Sequence, residues 1–248
     1  MSKNLVTRAL MLALILGLAA PAAASALNVY AASSLRDAFT QIDASPTYNF
    51  LGSNTLQLQI ERGAPADVFA SASPTEAHAL FRGGHCQRPV TFATNKLVML
   101  VPKGNPKGLK SVYRLRPGGL RLAVGNAGVP VGGYTRTLLR RLGLSRVLTN
   151  NTVSNEANVA GITEKVASGS ADAGFAYVTD AKIASSQVDA IRLPRYAQPP
   201  VRYKICRVVR SGVDAAGADS FIAKVRAKRG RGLLRAAGFG LPPSASKR

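Results

Sequence analysis

The chain reads as an α/β protein built on mostly parallel sheets, and three observations predict this. Short buried-strand patterns alternate with helical periodicity along nearly its whole length. Two of the strand-to-helix junctions are small serine-bearing turns with nothing bulky between strand and helix. No internal repeat interrupts the series. At 248 residues and 46% hydrophobic composition, the chain can bury its core as one domain or as two modest lobes.

The first residues do not belong to that fold. Lys3 and Arg8 precede an apolar run over 9–20 and small residues ending Ala24-Ser25-Ala26, the pattern of a secretory signal with an A-x-A cleavage site. Segment 1–26 is therefore expected to be removed after Ala26, leaving a soluble exported chain, periplasmic or otherwise extracytoplasmic, that starts at Leu27. The run is short for a transmembrane helix and no later stretch is longer. No cysteine stands at the cleavage site, so no lipid anchor is expected.

Val29-Tyr30-Ala31-Ala32 is a buried-strand pattern that runs straight into Ser33-Ser34, after which Leu35, Ala38, Phe39 and Ile42 recur at helical spacing. The spacing predicts a helix starting at Ser33 or Ser34 with an open first turn. Unpaired N–H groups, a partial positive charge and a hydroxyl there can hold an anion, although a serine before a helix is more often a plain cap. The motif returns when Tyr48-Asn49-Phe50-Leu51 delivers Gly52-Ser53-Asn54-Thr55, ahead of a helix marked by Leu56 and Ile60 and ended at Gly63. Two such junctions that converge make Ser34 and Ser53 candidate ligands. Asp67-Val68-Phe69-Ala70 is a third strand, and Ser73-Pro74-Thr75-Glu76 reads as a capping box, so Ser73 is assigned no ligand.

Asn95 to Pro102 reads as one long apolar strand, followed by a Gly/Pro/Lys-rich loop over 103–110 where a change of lobe is expected. A new series starts with the strand Leu120 to Gly125 and the glycine-rich turn over 128–134, then a basic helix carrying Thr137, Leu138 and Leu142. The glycines there permit close approach of backbone to a ligand, and a tight turn needs them equally. A polar segment after Asn151 leads to a helix on Val159, Ile162 and Val166; 173–178 is a further strand, 201–209 another, and a final basic helix spans about 220–237.

Composition bounds the function. Thirty-three Lys plus Arg against twelve Asp plus Glu give a net charge of +21, which makes nucleic acid, an anionic membrane face and anionic solutes candidate partners. The basic residues are scattered, clustering only at Arg140-Arg141 and over 224–235, and no aromatics interleave with them as on a single-strand platform. A solvated basic surface is expected, with no nucleic-acid partner. In an exported chain the two cysteines, Cys86 and Cys206, point to a disulfide before a metal site, and isolated His78 and His85 provide no zinc spacing. No G-x-S-x-G, H-E-x-x-H, Walker loop or dinucleotide fingerprint occurs, so a binding module is favoured over an enzyme.

Four blocks carry a further resemblance: AASSL within 30–35, GSNTLQLQIERGAPADVFASA over 52–72, LAVGNAGVPVGGYT over 122–135 and NVAGITEKVASGSADAGFAYVTDA over 158–181. In that order they resemble the periplasmic molybdate-binding proteins of ABC importers, and the likeness runs from Asn28 to about Leu241. It implies a class II periplasmic-binding-protein fold, two α/β lobes joined by two crossing strands. The first lobe would hold 27–95 and a return segment 202–243, with the second lobe over 96–201 and a loose tail over 244–248. Both cysteines would then share the first lobe.

The resemblance puts the family's serine ligands on Ser34 and Ser53, its backbone donors on Val131 and Val159, and its tyrosine donor on Tyr177. It implies a molybdate or tungstate ligand bound through its oxygens with no direct metal ligands, no further cofactor, an ABC permease as partner, and a monomer. Receptors of the same fold for sulfate or phosphate, and a basic protein that coats nucleic acid or an envelope surface, remain the alternatives. The segment between the first helix and Phe50 is shorter than the family's, so trimmed elements are expected there.

Overall fold

The computed structural model describes residues 26–242. The expected signal segment, apart from Ala26, and the expected tail over 244–248 lie outside the described residues. In chain order, β1 (Asn28–Ala32) leads through a tight 3-10 turn (Ser33–Leu35) into α1 (Arg36–Ile42); β2 (Thr47–Leu51) leads into α2 (Ser53–Glu61), and β3 (Val68–Ser71) into α3 (Pro74–Arg82). β4 (Val90–Asn95) and β5 (Leu97–Pro102) follow. The second series is β6 (Leu122–Gly125), α4 (Pro130–Arg141), α5 (Arg146–Asn151), β7 (Thr152–Glu156), α6 (Val159–Ala167), β8 (Ala173–Tyr177), α7 (Val178–Ile183) and β9 (Val188–Arg192). β10 (Val201–Arg207), α8 (Ala215–Arg226) and α9 (Lys228–Ala236) complete the chain.

Two five-stranded sheets result, ordered β2-β1-β3-β10-β4 and β7-β6-β8-β5-β9. In each, four strands share one direction and one opposes them. β10 is antiparallel to both its neighbours in the first sheet, and β5 to both of its own in the second. This is the expected α/β architecture of two lobes, each a mostly parallel sheet flanked by helices.

The chain passes between the lobes twice, at Lys96 and through 193–200. The side chain of Gln198 clamps the two crossings together: its Oε1 accepts from the Leu97 N–H (3.0 Å) and its Nε2 donates to the Leu97 carbonyl (2.7 Å). Of the run expected as one strand from Asn95 to Pro102, Leu97–Pro102 forms β5, while Asn95 ends β4 in the other sheet. The change of lobe falls at Lys96, ahead of the 103–110 loop. Both flanks of the crossing are buried, so the hydrophobic pattern runs on without a mark of the break.

Other departures have similar local causes. The final basic helix is two, α8 and α9, turned at Ala227; a side chain at Gly230 would stand 2.2 Å from the Lys224 carbonyl, so glycine lets α9 fold back closely. β7 and β9, absent from the sequence reading, are edge strands with alternating partial exposure. α8 carries an ordinary cap: Asp214 accepts from the Gly217 N–H at 2.9 Å. Asp214→Ala is expected to lower the unfolding free energy by about 1 kcal/mol, read as a reduced denaturant midpoint at unchanged slope.

The shortened α1–β2 connection is closed by Tyr48, whose hydroxyl donates to the carbonyls of Phe39 (3.1 Å) and Asp43 (2.6 Å). Tyr48 stacks on Phe50 and meets Phe221 of α8 edge-on, and Phe39 packs against Phe92 and Phe221. A compact aromatic cluster thus fills the space beneath a seven-residue α1. The expected bridge between Cys86 and Cys206 is replaced by two free thiols in a separate buried cluster with Leu56, Phe69 and Leu80. The hydrogen bond to Cys86, followed by burial, pushes the Cys206 thiol well above its ordinary pKa and keeps it protonated.

Candidate functional site

The register of the first sheet decides where the two serine junctions go. β1 and β2 are parallel neighbours with Ala32 opposite Leu51, so the turns that leave their carboxyl ends lie side by side. Such ends are where open α/β sheets receive ligands. The turn after β1 is 3-10 through Ser33–Leu35 before α1 begins at Arg36, one turn later than the apolar spacing predicts.

Neither Ser34 nor Ser53 acts as a cap, because neither hydroxyl accepts from the first turn that follows it. Ser53 Oγ accepts instead from the Ala72 N–H at 3.0 Å, and Ser34 Oγ lies 2.8 Å from the Tyr203 hydroxyl. Both serines are buried.

From the opposite lobe come the starts of α4 and α6 and the end of β8. α4 begins at Pro130 with Val129 at its N-cap position, so of the glycines expected to form a ligand turn Gly132 and Gly133 lie inside the helix start and Gly128 just ahead of it. Gly132 is required by packing: a Cβ there would stand 2.0 Å from the Asn126 carbonyl. Val131 and Val159 each occupy a first helical turn, where the backbone N–H has no partner within its own helix. Asn158 caps α6 by accepting from the Gly161 N–H at 3.2 Å. Tyr177 ends β8 fully buried, and its hydroxyl has no hydrogen-bond partner among the described residues.

All five residues singled out from the sequence, Ser34, Ser53, Val131, Val159 and Tyr177, border one cavity between the lobes, together with Ser33, Ala72 and Asn158. The room inside it for the centre of a water-sized sphere is only about 10 Å³, so the cavity is small. Among the described residues no charged side chain lines it. The lobes meet closely around it: the Tyr134 hydroxyl of α4 donates to the Ala72 carbonyl (3.4 Å), and Gly52 faces the Ala157 carbonyl.

Sequence reasoning misses Ala72, which lines the cavity, and Tyr203 and Asn95, which stand behind Ser34. The places of Tyr203 and Asn95 depend on how β10 inserts beside β4, and no local pattern encodes that. The expected capping box at Ser73 is also rearranged. Its hydroxyl accepts from Thr75 N–H and donates to Glu76 Oε2, while its own N–H donates to Ser71 Oγ in place of the glutamate.

Beneath Tyr177, Asp180 accepts from the Tyr177 N–H at 3.0 Å, and burial pushes its carboxyl up to about 7. The folded form therefore keeps a proton that the unfolded chain releases near its ordinary value of 3.8, so this group's contribution to stability is full below about pH 4 and falls as pH rises to about 7. Asp180→Asn, which keeps the acceptor, is expected to gain stability relative to the parent as pH rises through that window. Thermal melts of both proteins at about pH 4 and about pH 7.5, the two ends of that window, check it, and a constant difference would count against the assignment.

Two α/β lobes closing on a small neutral cavity lined by strand-end turns define a solute receptor of the two-lobed type. The chain belongs to the bacterial extracellular solute-binding proteins, whose family pattern matches residues 27–240. It is 37% identical over 229 residues to the molybdate-binding protein ModA of Mycobacterium bovis, covering 88% of this chain and 86% of that protein. Its fold matches the periplasmic molybdate-binding protein of Azotobacter vinelandii with a TM-score of 0.78 at 24% identity, over 87% of this chain and 99% of that one. It also matches the sulfate-binding protein SubI of Mycobacterium tuberculosis with a TM-score of 0.76 at 14% identity, over 89% and 88%. The chain is thus a solute-binding protein and not an enzyme, and its family implies export. Among the described residues no helix is long and apolar enough to cross a membrane.

Proposed function

We propose that this protein captures molybdate or tungstate between its lobes and delivers it to an ABC permease. The observation that carries the reading is the convergence of Ser34, Ser53 and Tyr177 with the first turns at Val131 and Val159 on one cavity without charged walls. A tetrahedral dianion taken out of water needs its oxygens hydrogen-bonded nearly completely, since each unpaired one leaves buried charge uncompensated. Neutral donors suffice when they are numerous and already aimed. Burial holds the Tyr177 phenol far above its ordinary pKa, so it stays protonated and able to donate.

Selection against the smaller sulfate then rests on size, with donors spaced too widely to satisfy a small anion all at once. Closure of the lobes is a population shift driven by contacts that only the closed form makes, and the closed form is what a permease would recognise. The 37% identity to a molybdate-binding protein supports this choice over the sulfate alternative, which shares the fold at 14%. The protein is expected to act as a monomer, with a permease as its only membrane contact.

Isothermal titration with molybdate, tungstate and sulfate tests the reading. Molybdate and tungstate are expected to bind and to raise the melting temperature, with about 2.7 kcal/mol of added stability at a hundredfold excess over Kd. Sulfate binding of comparable strength would overturn the assignment, as would indifference to all three.

A further inference from the structure

Behind Ser34 lies a short chain of buried polar groups. Ser34 Oγ is 2.8 Å from Tyr203 Oη. Asn95 Nδ2 donates to Tyr203 Oη at 3.5 Å and to Thr179 Oγ1 at 3.0 Å, and Asn95 Oδ1 accepts from the Lys96 N–H at 2.9 Å. Ser34, Asn95, Tyr203 and Thr179 are all buried. Asn95 and Lys96 sit at the crossing between the lobes, whereas Tyr203 is on the return strand β10, two residues after Val201, which pairs with Asn95.

The direction of every proton in this chain follows from donor and acceptor counting. The Lys96 N–H can only donate, so it fixes the Asn95 amide with Oδ1 toward it and Nδ2 toward Tyr203. Tyr203 then receives a donor from Asn95, and among the described residues the one remaining partner for its own proton is Ser34 Oγ. Were the order reversed, the Tyr203 proton would face no acceptor, and a buried donor would be left unpaired at a cost of about 1–3 kcal/mol. Ser34 therefore accepts from Tyr203, and its single proton is turned toward the cavity.

We propose that Asn95 and Tyr203 form a one-way donor relay that makes Ser34 an obligate donor to the anion in the cleft, with Tyr203 as the positioning residue. This rests on the oxyanion reading above and adds two residues to it. Ser53 obeys the same logic, since its oxygen accepts from the fixed Ala72 N–H and its proton is likewise sent elsewhere. The relay starts at the interlobe crossing, so the backbone of Lys96 sets the polarity of a hydroxyl at the ligand.

The test is a double-mutant cycle on the mature chain, titrated with molybdate, tungstate, sulfate and phosphate. Tyr203→Phe keeps the ring and its edge-on contacts with Tyr177 and Phe239 but removes the hydroxyl. It is expected to weaken binding of the preferred anion about tenfold, as is Ser34→Ala, and the double variant should be no weaker than Ser34→Ala alone. A merely structural role would instead give losses that multiply. Asn95→Ala, measured in the same two backgrounds, repeats the cycle without touching β10, so a poorly folding Tyr203→Phe does not remove the test.

Loss in Tyr203→Phe or Asn95→Ala that persists undiminished on Ser34→Ala, or no loss at all, overturns the relay and leaves the oxyanion reading standing. A wild-type protein that prefers sulfate or phosphate overturns the molybdate reading while the cycle is read with that anion. A wild-type protein that binds none of the four overturns both.

Discussion

Alanine at position 52 is expected to weaken molybdate binding by ten- to a hundredfold, while leaving the melting temperature of the ligand-free protein nearly unchanged. The reason is where the added methyl would go. A Cβ on Gly52 would stand 2.4 Å from the Ala157 carbonyl, which belongs to the opposite lobe, and 2.8 Å from Asn54 Oδ1, a side chain that can move. The backbone of Gly52 has φ −65° and ψ 138°, a conformation open to any residue, so alanine adds no strain inside its own lobe. The cost of overpacking, about 1–3 kcal/mol, therefore falls on the closed form alone. Because ligand affinity draws on closure, that cost appears in Kd at about tenfold per 1.4 kcal/mol. Calorimetric titration beside thermal melts decides it, and full affinity in Gly52→Ala would show that the lobes need not approach this closely to hold the anion.

Removing the hydroxyl of Tyr177 should move two measurements in opposite directions. In the structure this oxygen is buried and unpartnered among the described residues, an arrangement that costs about 1–3 kcal/mol. Tyr177→Phe relieves that cost, so the ligand-free protein is expected to melt at the same temperature or about 2–4 °C higher per kcal/mol recovered. With molybdate present the same change removes a donor to a desolvated anion, and affinity is expected to fall by about ten- to a hundredfold. Melts with and without molybdate report both effects at once. A lower melting temperature without ligand would mean that the hydroxyl supports the fold and not the anion.

Much of this was legible because parallel sheets place function at strand ends. β1 and β2 carry apolar runs that stop at small residues, and neighbouring parallel strands in register bring Ser34 and Ser53 together wherever such strands pair. Val131, Val159 and Tyr177 were reached only through resemblance, since a valine at a helix start or a tyrosine ending an apolar strand looks like packing. Edge strands such as β7 hid because half of each residue's surroundings is water; Val153 is 59% exposed. The residue pattern leaves the crossing at Lys96 unmarked for the opposite reason, with burial on both sides of one polar residue, and only the resemblance puts a boundary there. Tyr203 meets Ser34 across 169 positions of chain and Asn95 meets Tyr203 across 108, and only the completed sheet sets those distances.

The place of β10 between β3 and β4 also orders the birth of the molecule. β4 has no partner in its sheet except β10, and one side of β3 stays unpaired until residues 201–207 arrive, whereas β5 to β9 are consecutive and can assemble as soon as they are made. The half of the protein that starts first is thus the half that finishes last, with an open strand edge waiting across the whole interval. A chain interrupted before residue 201 would carry that edge permanently, exposed to any other extended segment nearby.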